Sequence, residues 1–223
     1  MTRLAYLTRA ATQRLRGLYA ITGGDALGAE RIAQAVTLAI EGGATLIQYR
    51  DKSTDVVQRE AEVRVLLEIC RSYQVPLIIN DDVDLARAVG ADGVHLGRDD
   101  AGVADARRTL GRNAIIGVSC YNLLARARAA EAAGADYVAF GRFFVSRTKP
   151  HAVMADLELL RSARAELRIP IVAIGGITHA TGARLIEAGA DMLAVVEGVF
   201  GADDIRGAAH RYAQLFEQQE KAS

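Results

Sequence analysis

The chain has only two cysteines and three prolines, and its net charge is zero. Two cysteines are too few for a disulfide framework, and Cys70 and Cys120 do not have the spacing of a zinc motif, so we expect two buried thiols. The balance of 27 basic and 27 acidic residues argues against a nucleic-acid partner recognised by bulk charge. No apolar run is long enough for a transmembrane span or a secretory signal, which predicts a cytoplasmic protein without a membrane partner.

Short runs of β-branched and aliphatic residues alternate with longer segments of helical periodicity, such as 56–73 and 123–133. The short runs are apolar almost throughout, as expected for parallel strands that are buried on both faces. The alternation predicts an α/β fold with strands at residues 18–22, 46–50, 77–80, 93–96, 115–119, 137–140, 171–174 and 192–196.

Four of the helical segments end in one phrase, Gly-Ala followed by Thr or Asp, at residues 43–45, 90–92, 134–136 and 189–191. A glycine just past a helix provides a left-handed cap, and the next residues lead directly into a strand. The phrase recurs at about the length of two βα units. This regularity favours a (β/α)8 TIM barrel over an open doubly wound sheet.

No proline-rich or serine-rich linker divides the sequence, so we predict a single catalytic domain over residues 17–223. Residues 1–16 contain four arginines and no acid. We expect them to form a short basic helix that caps the barrel floor, rather than a transit peptide. The sequence does not show whether this extension is ordered or whether the chain forms a homo-oligomer.

Polar residues are concentrated at the carboxyl ends of the predicted strands, where barrel enzymes carry their active sites. Alternate residues of a strand share a face, so Gln48, Arg50 and Lys52 are expected to project together into the barrel mouth. One amide and two cations suit an anionic ligand. The alternative is a solvated salt-bridge cluster with Asp51.

Acidic residues follow the next two strands, at 81–82 and 99–100. Carboxylates from neighbouring strand ends suit a Mg²⁺ ion that bridges phosphate oxygens. Such residues are also common helix N-caps, and Asp81 or Asp82 could cap the next helix. Spacing alone leaves both interpretations open.

Further candidates follow the later strands. Ser119 ends the fifth strand, but no His and Asp arrangement supports a serine nucleophile. Residues 146–149 form a hydroxyl-rich loop with two cations, and Gly175-Gly176 follows strand seven, where barrels commonly bind phosphate. His95 lies inside the fourth strand, and we expect a buried, hydrogen-bonded histidine rather than a general base.

From about residue 17 to residue 200 the sequence resembles the thiamine-phosphate synthase family. The resemblance rests on Gly-Leu-Tyr at 17–19, Gln-Tyr-Arg-Asp-Lys at 48–52, Ile-Asn-Asp-Asp at 79–82, Asp-Gly-Val-His-Leu-Gly at 92–97, Gly-Val-Ser at 117–119, Thr-Lys-Pro at 148–150 and Ala-Ile-Gly-Gly-Ile at 173–177. The order and spacing of these motifs make the resemblance specific.

The resemblance implies a (β/α)8 barrel that joins 4-amino-5-hydroxymethyl-2-methylpyrimidine diphosphate to a hydroxyethylthiazole phosphate and releases diphosphate. It implies three sets of contacts. The pyrimidine diphosphate would meet Gln48, Tyr49, Arg50, Asp51, Lys52, Asn80, Ser119 and Lys149, with Arg50, Ser119 and Lys149 catalytic; the thiazole phosphate would meet Ser146, Arg147, Thr148, Gly176, Val196 and Glu197; and Mg²⁺ would be bound by Asp81 and Asp100.

The mechanism that the resemblance implies needs no protein nucleophile. Diphosphate leaves once Mg²⁺ and cationic side chains neutralise its charge, and the thiazole nitrogen attacks the pyrimidine-methyl cation. Three residues depart from the family pattern: Arg98, Arg142 and Glu197. The alternatives are an isomerase similar to the thiazole tautomerase relatives and a non-catalytic barrel that binds a phosphorylated ligand. Closure of loop 142–150 over substrate is left open.

Overall fold

The alternating strands and helices close into a barrel in the computed structural model, which describes residues 15–23, 28–145 and 154–222. The eight strands are parallel and pair in sequence order, and β8 pairs with β1. The strands are β1 Gly17–Ile21, β2 Ala44–Tyr49, β3 Leu77–Asn80, β4 Gly93–Leu96, β5 Ile115–Tyr121, β6 Tyr137–Gly141, β7 Ile171–Ile174 and β8 Met192–Val195. The predicted (β/α)8 TIM barrel is confirmed.

Helices cover the outside of this barrel. Within the described residues they are α1 Ala29–Glu41, α2 Val56–Ser72, α3 Val83–Val89, α4 Val103–Leu110, α5 Leu124–Ala132, α6 Leu157–Glu166, α7 His179–Glu187, α8 Glu197–Phe200 and α9 Ile205–Ala222. None of the helices in the described ranges is long and apolar enough to cross a membrane.

The repeated Gly-Ala phrase connects a helix to the strand that follows it. Its later copies also hydrogen-bond to the neighbouring strand. Its four glycines, at positions 43, 90, 134 and 189, all have positive φ, as the predicted cap requires. The aspartate of each later copy accepts a hydrogen bond from the backbone N–H at the start of the preceding strand: Asp92 from Leu77 (2.9 Å), Asp136 from Ile116 (2.8 Å) and Asp191 from Ile171 (2.8 Å). The repeat therefore fixes strand register at the barrel floor.

Two apolar layers pack against the strands, one outside the barrel and one inside it. The larger layer packs between the strands and the helices, and it includes both cysteines, which are free and buried as predicted. Burial raises the pKa of each thiol to about 12. The smaller layer fills the barrel interior, and Leu15 packs against it from the end of the N-terminal extension. Residues 1–14 lie outside the described residues, so the capping role of residues 1–16 stays a prediction.

Candidate active site

A cavity of about 390 Å³ opens at the carboxyl ends of the strands. This is the end of a (β/α)8 barrel where catalytic residues are found, and the volume lies within the range of small-molecule sites. Polar side chains from many strand ends meet there. Predicted site residues that line the cavity are Gln48, Arg50, Asn80, Ser119, Gly176, Val196 and Glu197.

Arg50 brings a positive charge to the wall of this cavity. Its backbone is held at the mouth of the barrel, because Arg50 N donates to Thr22 Oγ1 at 2.8 Å and Thr22 Oγ1 donates to Arg50 O at 3.2 Å. No ion pair joins the Arg50 guanidinium to an acid within the described part of the chain. No carboxylate of these residues therefore neutralises its charge, and the guanidinium can bind an anionic ligand.

The predicted group of Gln48, Arg50 and Lys52 is only partly assembled. Gln48 and Arg50 line the cavity, but β2 ends at Tyr49, so strand alternation does not extend to Lys52. Lys52 is exposed beyond the strand end and is not part of the lining. The contact of Lys52 with the pyrimidine diphosphate stays a prediction.

Tyr49 and Asp51 lie away from the cavity lining, so their contacts with the pyrimidine diphosphate stay predictions. Neighbouring strand residues face opposite sides, so Tyr49 points outward between Gln48 and Arg50. Its hydroxyl donates to Glu62 Oε2 at 2.7 Å, and its burial, followed by the nearby Glu62, raises its pKa. Asp51 accepts from Ser53 N at 2.7 Å and so holds the loop after β2.

A hydrogen-bond relay of five side chains crosses the floor of the cavity. Gln48 Nε2 donates to Tyr19 Oη at 2.5 Å, and Tyr19 Oη lies 2.8 Å from Tyr137 Oη. Tyr137 Oη lies 3.0 Å from His95 Nδ1, and His95 Nε2 lies 2.8 Å from Ser119 Oγ. The histidine is thus buried and hydrogen-bonded, as predicted. Sequence reasoning missed both tyrosines, although a tyrosine inside an apolar strand signals a buried hydroxyl that needs a partner.

Gly117 makes room for this relay. A Cβ at Gly117 would lie 1.9 Å from Tyr137 Cζ, which is closer than a van der Waals contact with the tyrosine ring allows. We expect Gly117→Ala to lower the free energy of unfolding by about 1–3 kcal/mol, because overpacking forces buried neighbours to move. Chemical denaturation measures this change. Gly23→Ala is the control, since a Cβ there meets no atom within 4 Å. Equal stabilities of the two variants would show that Tyr137 does not require a glycine at position 117.

The structure separates the two aspartates that follow β3. Asp82 is the N-cap of α3, accepting from Leu85 N at 2.8 Å, and it also pairs with Arg59 at 3.0 Å. Asp81 is exposed, with φ 63°, and Asn80 Nδ2 donates to its Oδ2 at 2.6 Å. The capping role therefore belongs to Asp82, which leaves Asp81 as the metal candidate on this strand.

The second metal candidate, Asp100, follows the neighbouring strand. Its Oδ2 accepts a hydrogen bond from Gly97 N, which folds the loop after β4 back on itself. Asp81 N donates to His95 O at 2.9 Å, so the segment that carries Asp81 is attached directly to β4. Neither carboxylate is part of the cavity lining, and no group of three potential metal ligands occurs within the described residues.

The opposite wall of the cavity is formed by the ends of β7 and β8. Gly175 and Gly176 have φ of 102° and 66°, and a Cβ on Gly176 would lie 2.4 Å from Val145 O. Only glycine permits this backbone to pass so close beneath the 143–145 segment. Val196 and Glu197 lie at the start of α8 and line the cavity, and Arg142, which follows β6, lines it as well. Ser146, Arg147, Thr148 and Lys149 lie outside the described residues.

Comparison with known proteins agrees with the family predicted from the motifs. A family model for thiamine monophosphate synthase matches residues 18–199. The chain is 57% identical over 202 residues to a thiamine-phosphate synthase of Nitrosococcus oceani, covering 91% of this chain and 93% of that protein. It is 52% identical over 200 residues to one of Thiobacillus denitrificans, covering 90% and 94%.

A solved structure agrees with the barrel and with the family. Thiamine phosphate pyrophosphorylase from Pyrococcus furiosus has a TM-score of 0.81 at 35% identity, covering 92% of this chain and 98% of that chain. The sequence relatives and this structure each cover nearly the whole barrel, so the match is not confined to one motif. The chain belongs to the thiamine-phosphate synthase family, whose members are transferases of thiamine biosynthesis.

Proposed function

We propose that this chain joins 4-amino-2-methyl-5-(diphosphooxymethyl)pyrimidine to 4-methyl-5-(2-phosphooxyethyl)thiazole, giving thiamine phosphate and diphosphate. The observation that carries the proposal is the position of Arg50, on the cavity wall and without an acidic partner in the described ranges. Gln48, Asn80 and Ser119 add neutral hydrogen-bonding groups around it. This set suits a ligand that carries several anionic oxygens.

Catalysis at this cavity depends on positioning and electrostatics. The bond between the pyrimidine methylene carbon and the diphosphate oxygen breaks, and its electron pair leaves with diphosphate. Arg50, and Lys149 as a predicted contact, stabilise the negative charge that develops on the leaving group. The lone pair of the thiazole nitrogen then forms the new carbon–nitrogen bond, and the cavity holds the two molecules in line.

The donor set fits a magnesium ion at the diphosphate end. Mg²⁺ usually takes one or two protein carboxylates and completes its shell with water and substrate phosphates, so Asp81 and Asp100 are sufficient in number and type. The N-cap role of Asp82 supports this assignment, because it accounts for the adjacent carboxylate separately. When bound, Mg²⁺ would neutralise charge on the diphosphate oxygens.

The thiazole phosphate is assigned to the wall formed by Gly176, Val196 and Glu197, with Ser146, Arg147 and Thr148 as further predicted contacts. Gly175 and Gly176 line the cavity without a Cβ, which suits a phosphate site built from main-chain groups. Glu197 is exposed beside the cavity and would repel a phosphate, whereas Arg142 in the same lining would attract it. These two departures from the family pattern therefore have opposite signs.

The two alternatives account for less of the site. An isomerase of the tautomerase type needs no diphosphate site, so it leaves Arg50 and the paired candidates Asp81 and Asp100 unexplained. A non-catalytic barrel likewise has no use for both carboxylates. Small molecules remain the predicted partners. The cytoplasmic location and the absence of nucleic-acid and membrane partners stay predictions from the sequence. The oligomeric state stays an open question.

Genetic complementation tests the proposed function. Expression of this chain in a bacterium that lacks its own thiamine-phosphate synthase should restore growth without added thiamine. The Arg50→Ala variant, expressed at the same level, should restore growth poorly. Failure of the folded wild-type protein to support growth would contradict the proposal, and equal growth with both proteins would contradict the role of Arg50.

Glu197 gives a prediction for the thiazole side. We expect Glu197→Ser to lower the apparent KM for the thiazole phosphate by about 3- to 10-fold, since removing one exposed like charge relieves a screened repulsion. The KM for the pyrimidine diphosphate should not change. Glu187→Ser, which removes an exposed carboxylate from the last turn of α7, is the control. An unchanged thiazole KM in Glu197→Ser would show that this carboxylate does not face the phosphate.

A further inference from the structure

The relay beneath the cavity links five side chains from five strands. It runs from Gln48 on β2 through Tyr19 on β1, Tyr137 on β6 and His95 on β4 to Ser119 on β5. Only its two ends carry residues expected to touch substrate. The middle three side chains are buried, with Tyr19 and His95 at the floor of the cavity, so their polar atoms need hydrogen-bond partners, which the relay provides.

The direction of each hydrogen bond follows from the Gln48 amide. Its Nε2 is a donor, so Tyr19 Oη accepts there. Tyr19 is 1% exposed. Within the described residues, its hydroxyl has Tyr137 Oη as its second hydrogen-bond partner, besides Gln48. An unsatisfied buried hydroxyl is costly, so Tyr19 donates its proton to Tyr137. Burial raises the pKa of both tyrosines, which keeps both hydroxyls protonated.

The same reasoning fixes the histidine. Tyr137 Oη already accepts from Tyr19, and its own proton is directed at His95 Nδ1, 3.0 Å away. A nitrogen that accepts a hydrogen bond is unprotonated, so neutral His95 carries its proton on Nε2. That proton is donated to Ser119 Oγ, 2.8 Å away. The His95 ring also stacks on the Tyr137 ring, with centroids 5.6 Å apart and planes 24° apart, which holds the imidazole in this orientation.

The end of the relay determines what Ser119 can do. Because Ser119 Oγ accepts from His95, the serine proton is directed elsewhere, and the side chain lines the cavity. We propose that the relay holds His95 as the neutral Nε2–H tautomer and thereby presents the Ser119 hydroxyl as a hydrogen-bond donor to an anionic oxygen of the bound ligand. Tyr19, Tyr137 and His95 are positioning residues. The proposed function supplies only the identity of the anion, a diphosphate.

Nitrogen NMR of the free protein tests the proton positions without substrate. With ¹⁵N-labelled histidine at neutral pH, His95 should show a protonated Nε2 and an unprotonated Nδ1, and its signal is assigned by its loss in His95→Gln. Tyr137→Phe removes the donor to Nδ1 and should give a mixture of tautomers. Tyr19→Phe, further from His95, serves if Tyr137→Phe does not fold. Tyr73→Phe, an exposed tyrosine bonded to Glu41, is the control and should leave the spectrum unchanged.

Ligand binding tests the consequence at Ser119. His95→Leu should weaken binding of inorganic diphosphate with Mg²⁺ by about 10- to 100-fold, because one hydrogen bond to an anion is lost. His95→Gln retains an amide donor and should recover most of this loss. In turnover His95→Leu should lower kcat/KM for the pyrimidine diphosphate and leave the thiazole KM unchanged, and His95→Gln should recover most of the lost kcat/KM.

Two results would overturn the relay. One is an Nδ1–H tautomer or an imidazolium at His95 in the wild-type protein. The other is a single unchanged tautomer, with unchanged diphosphate affinity, in the tyrosine variants. These outcomes are distinct from a failure of the proposed function, because a wild-type protein that shows the Nε2–H tautomer but makes no thiamine phosphate would retain the relay and lose the synthase assignment.

Discussion

Arg50→Ala should lower kcat/KM for the pyrimidine diphosphate by about 10²- to 10³-fold, as removal of a preorganised charge-stabilising group does in other enzymes. Arg50 is the cationic side chain on the cavity wall that has no acidic partner within the described residues on the β2 side. Its loss leaves the departing diphosphate less well neutralised. Most of the decrease should therefore fall in kcat, since the charge on the leaving group grows in the transition state.

Two variants sharpen this experiment. Arg50→Lys keeps the charge but loses the planar fork, so it should recover only part of the rate. Arg108→Ala removes an exposed arginine on α4 that pairs with Asp105, and its steady-state kinetics should match the wild type. If Arg50→Ala retained kcat/KM within about threefold, the leaving-group role would be wrong.

Asp81→Ala should reduce turnover by about 100-fold and raise the Mg²⁺ concentration needed for half-maximal rate, because one of two proposed protein ligands is lost. A Mg²⁺ titration of the initial rate measures both effects. The prediction depends on the structural separation of Asp81 from Asp82.

The neighbouring aspartates provide the controls. Asp82→Ala should lower the free energy of unfolding by about 0.5–2 kcal/mol through loss of the α3 cap, with an unchanged Mg²⁺ dependence. Asp84→Ala, an exposed residue in the first turn of α3, should change neither. A normal Mg²⁺ titration in Asp81→Ala would remove this residue from the metal site.

Much of the fold was predictable because the local sequence pattern of several strands agrees with the structure that they adopt. The strands β3, β4 and β7 have the predicted bounds, since each is a short, mostly apolar run with clear polar, proline or glycine boundaries. At β5 the strand continues to Tyr121 rather than ending at Ser119, where a register shift allows two further residues to join. Such an irregularity depends on pairing with β6 and has no local sequence signature.

The position of a site residue was predictable where strand alternation determines which way its side chain faces. It was not predictable where contacts between distant strands of the barrel determine it. Alternation places Gln48 and Arg50 on the inner face, and it also turns Tyr49 outward, which motif matching alone did not reveal. The Tyr19–Tyr137 contact joins residues 118 positions apart, so only barrel closure brings them together. The choice between Asp81 and Asp82 as helix cap likewise depended on backbone geometry.

Product stoichiometry in a purified reaction tests the central claim most directly. The protein is mixed with the pyrimidine diphosphate, the thiazole phosphate and Mg²⁺, and thiamine phosphate and diphosphate are quantified in the same samples over time. The account predicts that the two products appear in equal amounts, that thiamine phosphate requires both substrates, and that Arg50→Ala slows its formation. A folded wild-type protein that forms no thiamine phosphate under these conditions would contradict it.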